Sequence, residues 1–264
     1  MSIRSSGPPP GSDEDLPRMS LLDHLEELRR RLFYSLIAFF VALVACSIYV
    51  DPIFDVLEMP IRRYLPPGKK LVIFGVPDAF LFYFKVAALA ALFLAAPYIL
   101  YQVWCFIAPG LYRKERRWTA AFVLSTTLFF LGGGLFAYFI ASPFAIQFLL
   151  ELGSRFEPVI SADRYLGFEM TVIAGAGLMF ELPVVIFALA QLGLVTPAFL
   201  MRNFRWAVLI IFIVAAVVTP TPDVVNLCVF ALPAILLYLL GAGAAWVVAR
   251  NKRKRELAAE SAES

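Results

Sequence analysis

The sequence predicts an all-α protein that crosses a membrane six times, and three observations carry that expectation. Of its 264 residues, 61% are hydrophobic and only 16% are charged, against about a quarter charged in soluble domains. Mean hydropathy is +0.80, and a soluble globule of this size has nowhere to hide so much apolar surface. The apolar residues are gathered into runs near the ~20 residues that a helix needs to cross a bilayer, with most charges between the runs. A free cytosolic enzyme, a disulfide scaffold and a disordered chain are excluded together.

Residues 1–18 are rich in Pro, Gly, Ser and acid and read as a disordered tail. A six-span domain is expected over 19–250, followed by a charged tail over 251–264. The domain opens with an amphipathic helix, since Leu21, Leu25, Leu28 and Leu32 recur at three- and four-residue steps. Ser20 with Asp23 makes a capping box. The polar face carries Asp23, Glu26, Glu27 and Arg30. Glu26 lies four before Arg30 and Glu27 four before Arg31, the spacing of surface ion pairs.

The first uncharged span is Leu32–Val50. The second is Val86–Tyr112, beginning near Ala79 with Lys85 in its first turns. The third is Trp118–Leu150, with Ser142-Pro143 expected to mark its outer end because proline disrupts a helix interior. The fourth runs from Leu166 to Leu192 and contains Glu181. The fifth, Trp206–Thr219, is short, and the proline turn over 219–223 separates it from the sixth, Val224–Ala249. Orientation follows from basic residues, which favour the cytoplasmic side. With both termini on one side, sixteen cations fall there and six on the other, which leaves Lys85 in the membrane. Both termini are therefore expected in the cytoplasm, as an even number of spans requires. Loops 51–78 and 143–164 face outward.

The net charge of +3 is too mild to indicate nucleic acid. Cys46, Cys105 and Cys228 sit far apart in apolar runs and read as small buried hydrophobes. With one histidine, His24, neither a metal site nor a serine–histidine relay is indicated. No nucleotide or cofactor motif is present.

Ionisable groups inside a membrane cost about 2.5–3.5 kcal/mol at mid-helix, so each suggests function. Glu181 precedes Leu182-Pro183 deep in the fourth span. A proton-relay carboxyl, a partner-docking site and a structural hydrogen bond all remain open for it. Lys85 is expected to snorkel to the outer interface, Glu169 to be wet near the outer end, and Asp223 to cap the sixth helix. Glu115 stands among four cations in the loop after Pro109. It reads either as local charge relief or as a carboxylate aimed at a guanidinium, which it matches in a two-pronged way. Gly132-Gly133-Gly134 and Gly175-Ala176-Gly177 permit close helix approach.

His24-Leu25-Glu26-Glu27-Leu28-Arg29-Arg30-Arg31-Leu32 resembles the N-terminal stretch of the TatC family, the multispanning subunit of the twin-arginine protein translocase. The resemblance continues in Tyr101-Gln102-Val103-Trp104-Cys105-Phe106-Ile107-Ala108-Pro109-Gly110-Leu111-Tyr112 and Glu115-Arg116-Arg117. Phe136-Ala137-Tyr138-Phe139, Phe180-Glu181-Leu182-Pro183-Val184 and the proline turn follow in order, over about 20–250. The turn, Thr219-Pro220-Thr221-Pro222-Asp223, is one residue longer than the family's Thr-Pro-Pro-Asp. Leu227 stands where some members carry Gln, with Asn226 beside it.

The resemblance implies a receptor and assembly platform for export of folded proteins across a bacterial inner membrane, driven by the proton-motive force without a cofactor. Its signal-contacting glutamates fall on Glu27 and Glu115. Arg29, Pro60 and Phe106 fall on positions that the family needs for activity. Glu181, with Thr219, Asp223 and Asn226 at the outer turn, falls on the polar surface for the single-span partners TatA and TatB. Twin-arginine signal peptides, membrane lipid and further copies of the chain complete the implied partners. The competing reading is a proton-coupled small-solute transporter with Glu181 as coupling carboxyl. An intramembrane enzyme lacks any Ser/His, His-Glu-x-x-His or paired-aspartate arrangement to support it.

Overall fold

The computed structural model describes residues 21–65, 68, 70–75, 77–107, 116–156, 159–219, 221 and 223–263. The 1–18 tail and Glu115 lie outside them. Among the described residues the only regular structure besides helix is a single parallel bridge between Val72 and Ser161. Five helices are long and apolar enough to cross a membrane, and Phe204–Val218 is a shorter apolar helix. The protein is an all-α, multi-pass membrane protein.

Helix α1 (Leu21–Ile48) joins the amphipathic segment and the first span without a break, since no glycine or proline interrupts 21–48. The amphipathic helix expected as a separate element is thus the first part of α1. Helix α2 (Val50–Arg62) follows at once, with Pro52 near its start and Pro60 inside it. Helix α3 (Asp78–Ile107) returns along α1, and Ala42, Leu43 and Cys46 pack against Ala87, Ala91 and Ala95 in that seam. Alanine on α3 leaves room for the larger α1 side chains.

The third span departs from expectation at Pro143. Helix α4 (Arg116–Phe136) widens into a π-helical turn, Ala137–Ala141, and continues as α5 (Ser142–Leu152). The Ser142 N–H donates to Ala137 O, five residues back. Pro143 therefore enters at the start of a new α segment, where the donor it lacks is not needed. Proline resets the helix here instead of ending it.

The fourth span breaks ahead of Pro183. Helix α6 (Ala162–Phe180) stops, Glu181 occupies a turn, and α7 (Leu182–Gln191) begins with Leu182-Pro183. Thr196 caps the short α8 (Pro197–Arg202) by accepting from Phe199 N at 3.2 Å. Helix α9 (Phe204–Val218) has 15 residues, about 22 Å at 1.5 Å per residue, which is less than a ~30 Å hydrocarbon core. Helix α10 (Val224–Glu263) carries on through the charged segment after 250, where Asn251, Lys252, Arg253, Lys254, Leu257 and Ser261 are exposed.

The core lies where α3, α4, α6, α7 and α10 meet, around Val86, Leu166, Val172, Ala176, Phe230 and Ala234. The two glycine motifs meet in it. A Cβ on Gly133 would lie 2.5 Å from Ala176 O and 2.9 Å from Gly177 Cα, whereas one on Gly132 meets nothing within 4 Å. Helices α4 and α6 therefore touch backbone to backbone. Gly132→Ala should hold or raise the melting temperature in detergent, because alanine is about 1 kcal/mol better than glycine inside a helix. Gly133→Ala should lower it by overpacking, on the order of 1–3 kcal/mol; equal melts would contradict this packing.

Candidate functional site

The end of the bundle that holds residue 21 is built by the start of α1 against the end of α3. His24 stacks on Phe106, with ring centroids 4.3 Å apart and planes 14° apart. One turn further, Arg31 donates to Glu27 Oε1 from Nε at 2.9 Å and from Nη2 at 2.5 Å. This is the expected i,i+4 pair, yet it is no loose surface pair. The Glu27 side chain is 10% exposed and that of Arg31 21%. Arg31 also donates from Nη1 to Oε1 of the buried Gln102 on α3, at 3.3 Å. Glu27 Oε2 is buried and has no hydrogen-bond partner among the described residues.

A groove of about 740 Å³ adjoins this pair, lined by Asp23, Glu26, Glu27, Arg29, Arg30, Phe33 and Tyr34. Arg29 is exposed on its wall. The groove offers carboxylates and aromatic faces together, and Glu27 retains a free, desolvated acceptor. A guanidinium donor fits that acceptor. Gln102 and its hold on Arg31 were invisible in sequence, where they lie 71 residues apart.

The second set of polar residues is not gathered into one place. Glu181 sits at the break between α6 and α7, 9% exposed, and its Oε1 is buried and unpartnered. Thr219 ends α9 and turns inward, its hydroxyl donating to Ala215 O at 2.8 Å. Asp223 and Asn226 form a separate knot at the start of α10. Asp223 Oδ1 accepts from Asn226 N at 2.7 Å, and Oδ2 accepts from the Asn226 side-chain amide at 2.8 Å. The same amide donates to Thr221 Oγ1 at 3.1 Å. This is the expected cap. Asn226 is almost fully buried, and its own Oδ1 has no partner among the described residues.

Two expectations are corrected. Glu169 is not wet: it is 0% exposed, because the hydroxyls of Ser142 and Tyr165 both reach its Oε1. Lys85 is held and not merely snorkelling, since it donates to Asp163 on α6 at 2.5 Å. Both side chains are well exposed, so the pair contributes only about 0–1 kcal/mol. Pro60 is buried on α2, at the far end of the bundle from Glu27. Among the described residues no cluster could hold a metal ion.

The Asp223 carboxyl is slightly desolvated, which raises its pKa, but bonds from Asn226, Thr221 and Val225 outweigh this and hold it below the usual 3.8. A lowered folded-state value means that the stabilisation is full above the ordinary aspartate range and is lost as pH falls through the lowered one. Asp223→Ala should therefore cost about 1 kcal/mol at pH 7. Melts of variant and parent should converge in acid, once protonation has removed the acceptor in both.

The sequence profile of the family described as Sec-independent protein translocase protein (TatC) matches residues 23–233. A Koribacter versatilis protein named Sec-independent protein translocase protein TatC is 43% identical over 256 residues, covering 96% of this chain and 94% of its own. One of the same name from Desulforapulum autotrophicum is 39% identical over 235 residues, covering 89% and 87%. The crystal structure of a twin arginine translocase receptor, TatC, superposes with a TM-score of 0.75 at 33% identity, over 86% of this chain and 99% of that one. The same receptor in DDM gives 0.76, also at 33% identity, over 84% and 99%. With most of its length matched by the family profile and by these relatives, the chain belongs to the TatC family of Sec-independent protein translocase proteins.

Proposed function

We propose that the chain is the signal-peptide receptor and core assembly subunit of a twin-arginine translocase. It exports folded proteins across a bacterial inner membrane on the proton-motive force, with both termini in the cytoplasm. The observation that carries this reading is Glu27, a nine-tenths-buried carboxylate whose Oε2 has no partner among the described residues, at the wall of a groove. In a translocase subunit the ligand expected there is a guanidinium of the signal, which donates to a carboxylate with a fork that lysine lacks. Glu115 is assigned as the second signal-contacting carboxylate, with Arg29 and Phe106 beside the site. Single-span TatA and TatB subunits, and further copies of the chain, are assigned to two separate polar sites, Glu181 at the break between α6 and α7 and Thr219, Asp223 and Asn226 around the start of α10.

The test is binding of an Arg-Arg signal peptide, and of its Lys-Lys version, to the purified chain in nanodiscs. A hydrogen bond to a charged partner contributes about 1.5–3 kcal/mol. The Arg-Arg signal should therefore bind roughly 10- to 100-fold more tightly, and Glu27→Ala and Glu115→Ala should each erase most of that preference. Binding indifferent to Arg or Lys and to both variants would remove the site assignment. Proton-coupled solute uptake by the chain alone, abolished by Glu181→Gln, would instead favour a transporter.

A further inference from the structure

Helix α2 rests on a narrow footing. Leu57, Pro60 and Ile61 are its buried residues, and it joins α1 to the loop before α3. In an α-helix each carbonyl accepts from the N–H four residues on. Pro60 has no N–H, so the Val56 carbonyl has no donor in its own helix, and the proline ring crowds it outward. A side chain from elsewhere supplies the missing donor. The Tyr138 hydroxyl donates to Val56 O at 2.6 Å, and Tyr138 lies on the π-helical turn after α4. The next carbonyl of α2, Leu57 O, accepts from the Tyr165 hydroxyl at 2.7 Å. That phenol also lies 2.8 Å from Glu169 Oε1, which the Ser142 hydroxyl reaches from α5. Two consecutive carbonyls just ahead of Pro60 are thus held by two tyrosines from two different elements. One tyrosine is tied back through a fully buried carboxyl.

We infer that Pro60 acts as a positioning residue through the Val56 carbonyl and Tyr138. The Tyr165–Glu169–Ser142 cluster provides the second hold, so that α2 is clamped to the spans at the end opposite Glu27. The clamp holds Phe54 on Phe82 of α3, with ring centroids 5.0 Å apart, beside a cavity of about 540 Å³ that Asp55, Glu58, Arg62 and Tyr83 also line. Alanine at 60 would close the helix on itself and make Tyr138 redundant. The inference is independent of the signal-peptide reading and stands or falls separately from it.

The experiment is a double-mutant cycle on the full chain in nanodiscs, read by hydrogen exchange of the α2 amides. With Pro60 present, Tyr138→Phe leaves Val56 O without a donor. Exchange across α2 should then rise about fivefold or more, the size of one lost hydrogen bond. In the Pro60→Ala background the new N–H takes that carbonyl, and Tyr138→Phe should change exchange by less than about twofold. If Tyr138→Phe alone fails to accumulate folded protein, recovery of folded protein in Pro60→Ala/Tyr138→Phe is the same positive result. Tyr165→Phe should raise exchange in both backgrounds, because its acceptor does not depend on Pro60. Equal effects of Tyr138→Phe in the two backgrounds, no effect in either, or failure of the double variant to rescue folding overturns the inference.

Discussion

Inside hydrocarbon a backbone carbonyl has no water to turn to, so each must find its donor within the chain. That constraint organises this molecule most visibly where proline takes a donor away. At Pro143 the helix widens into a π-helical turn, with Ser142 N on Ala137 O, and continues. At Pro183 the helix stops and restarts, and the turn carries Glu181, whose carbonyl accepts from both Val184 N at 3.0 Å and Val185 N at 2.9 Å. At Pro60 the donor comes from another element as a tyrosine hydroxyl. A lost donor thus accompanies a bulge and a break within the spans and, at Pro60 outside them, an interhelix clamp, whereas α3 and α10 run on through Pro97 and Pro233.

These responses place the polar side chains. The turn at Glu181 falls just ahead of Leu182-Pro183, and a carboxyl held in a turn between two helices faces the bundle differently from one on a continuous stripe. The widened turn at 137–141 puts Tyr138 over α2 and leaves Ser142 facing Glu169. The buried carboxyl at 169 is tolerable because polar neighbours from α5 and α6 surround one of its oxygens.

The two ends of the bundle use charge differently. Near Glu27, charges are concentrated and one carboxylate oxygen is buried without a partner among the described residues, beside an internal guanidinium, a local geometry in which short-range fit outweighs long-range attraction. At the far end, charges are dispersed. Lys85 with Asp163, and Asp223 with Asn226, tie loops and helix starts together. The backbone bridge between Val72 and Ser161 joins the two loops there, through Val72 N to Ile160 O and Ala162 N to Val72 O, each 3.0 Å.

The amino-acid sequence alone determined the membrane class, the apolar runs, the short fifth run, the break before Pro183, the Glu27–Arg31 spacing and the Asp223 cap. All of these depend on composition or on residues within about one helical turn of each other. The glycine motifs announced close packing, but only the folded chain decided that Gly133 meets Ala176. Gln102 on Arg31, Phe106 on His24, Tyr138 on Val56 and Ser142 on Glu169 join residues on different elements. Glu169 was read as wet from its place near a span end, whereas burial is a property of what packs around it. Pro143 was read as a terminator from its lost donor, whereas the outcome depended on a π-helical turn that no local rule specifies. Periodicity and capping are local physics and are written along the chain. Partners for deprived carbonyls and buried carboxyls are supplied through space, so only the tertiary structure decides them.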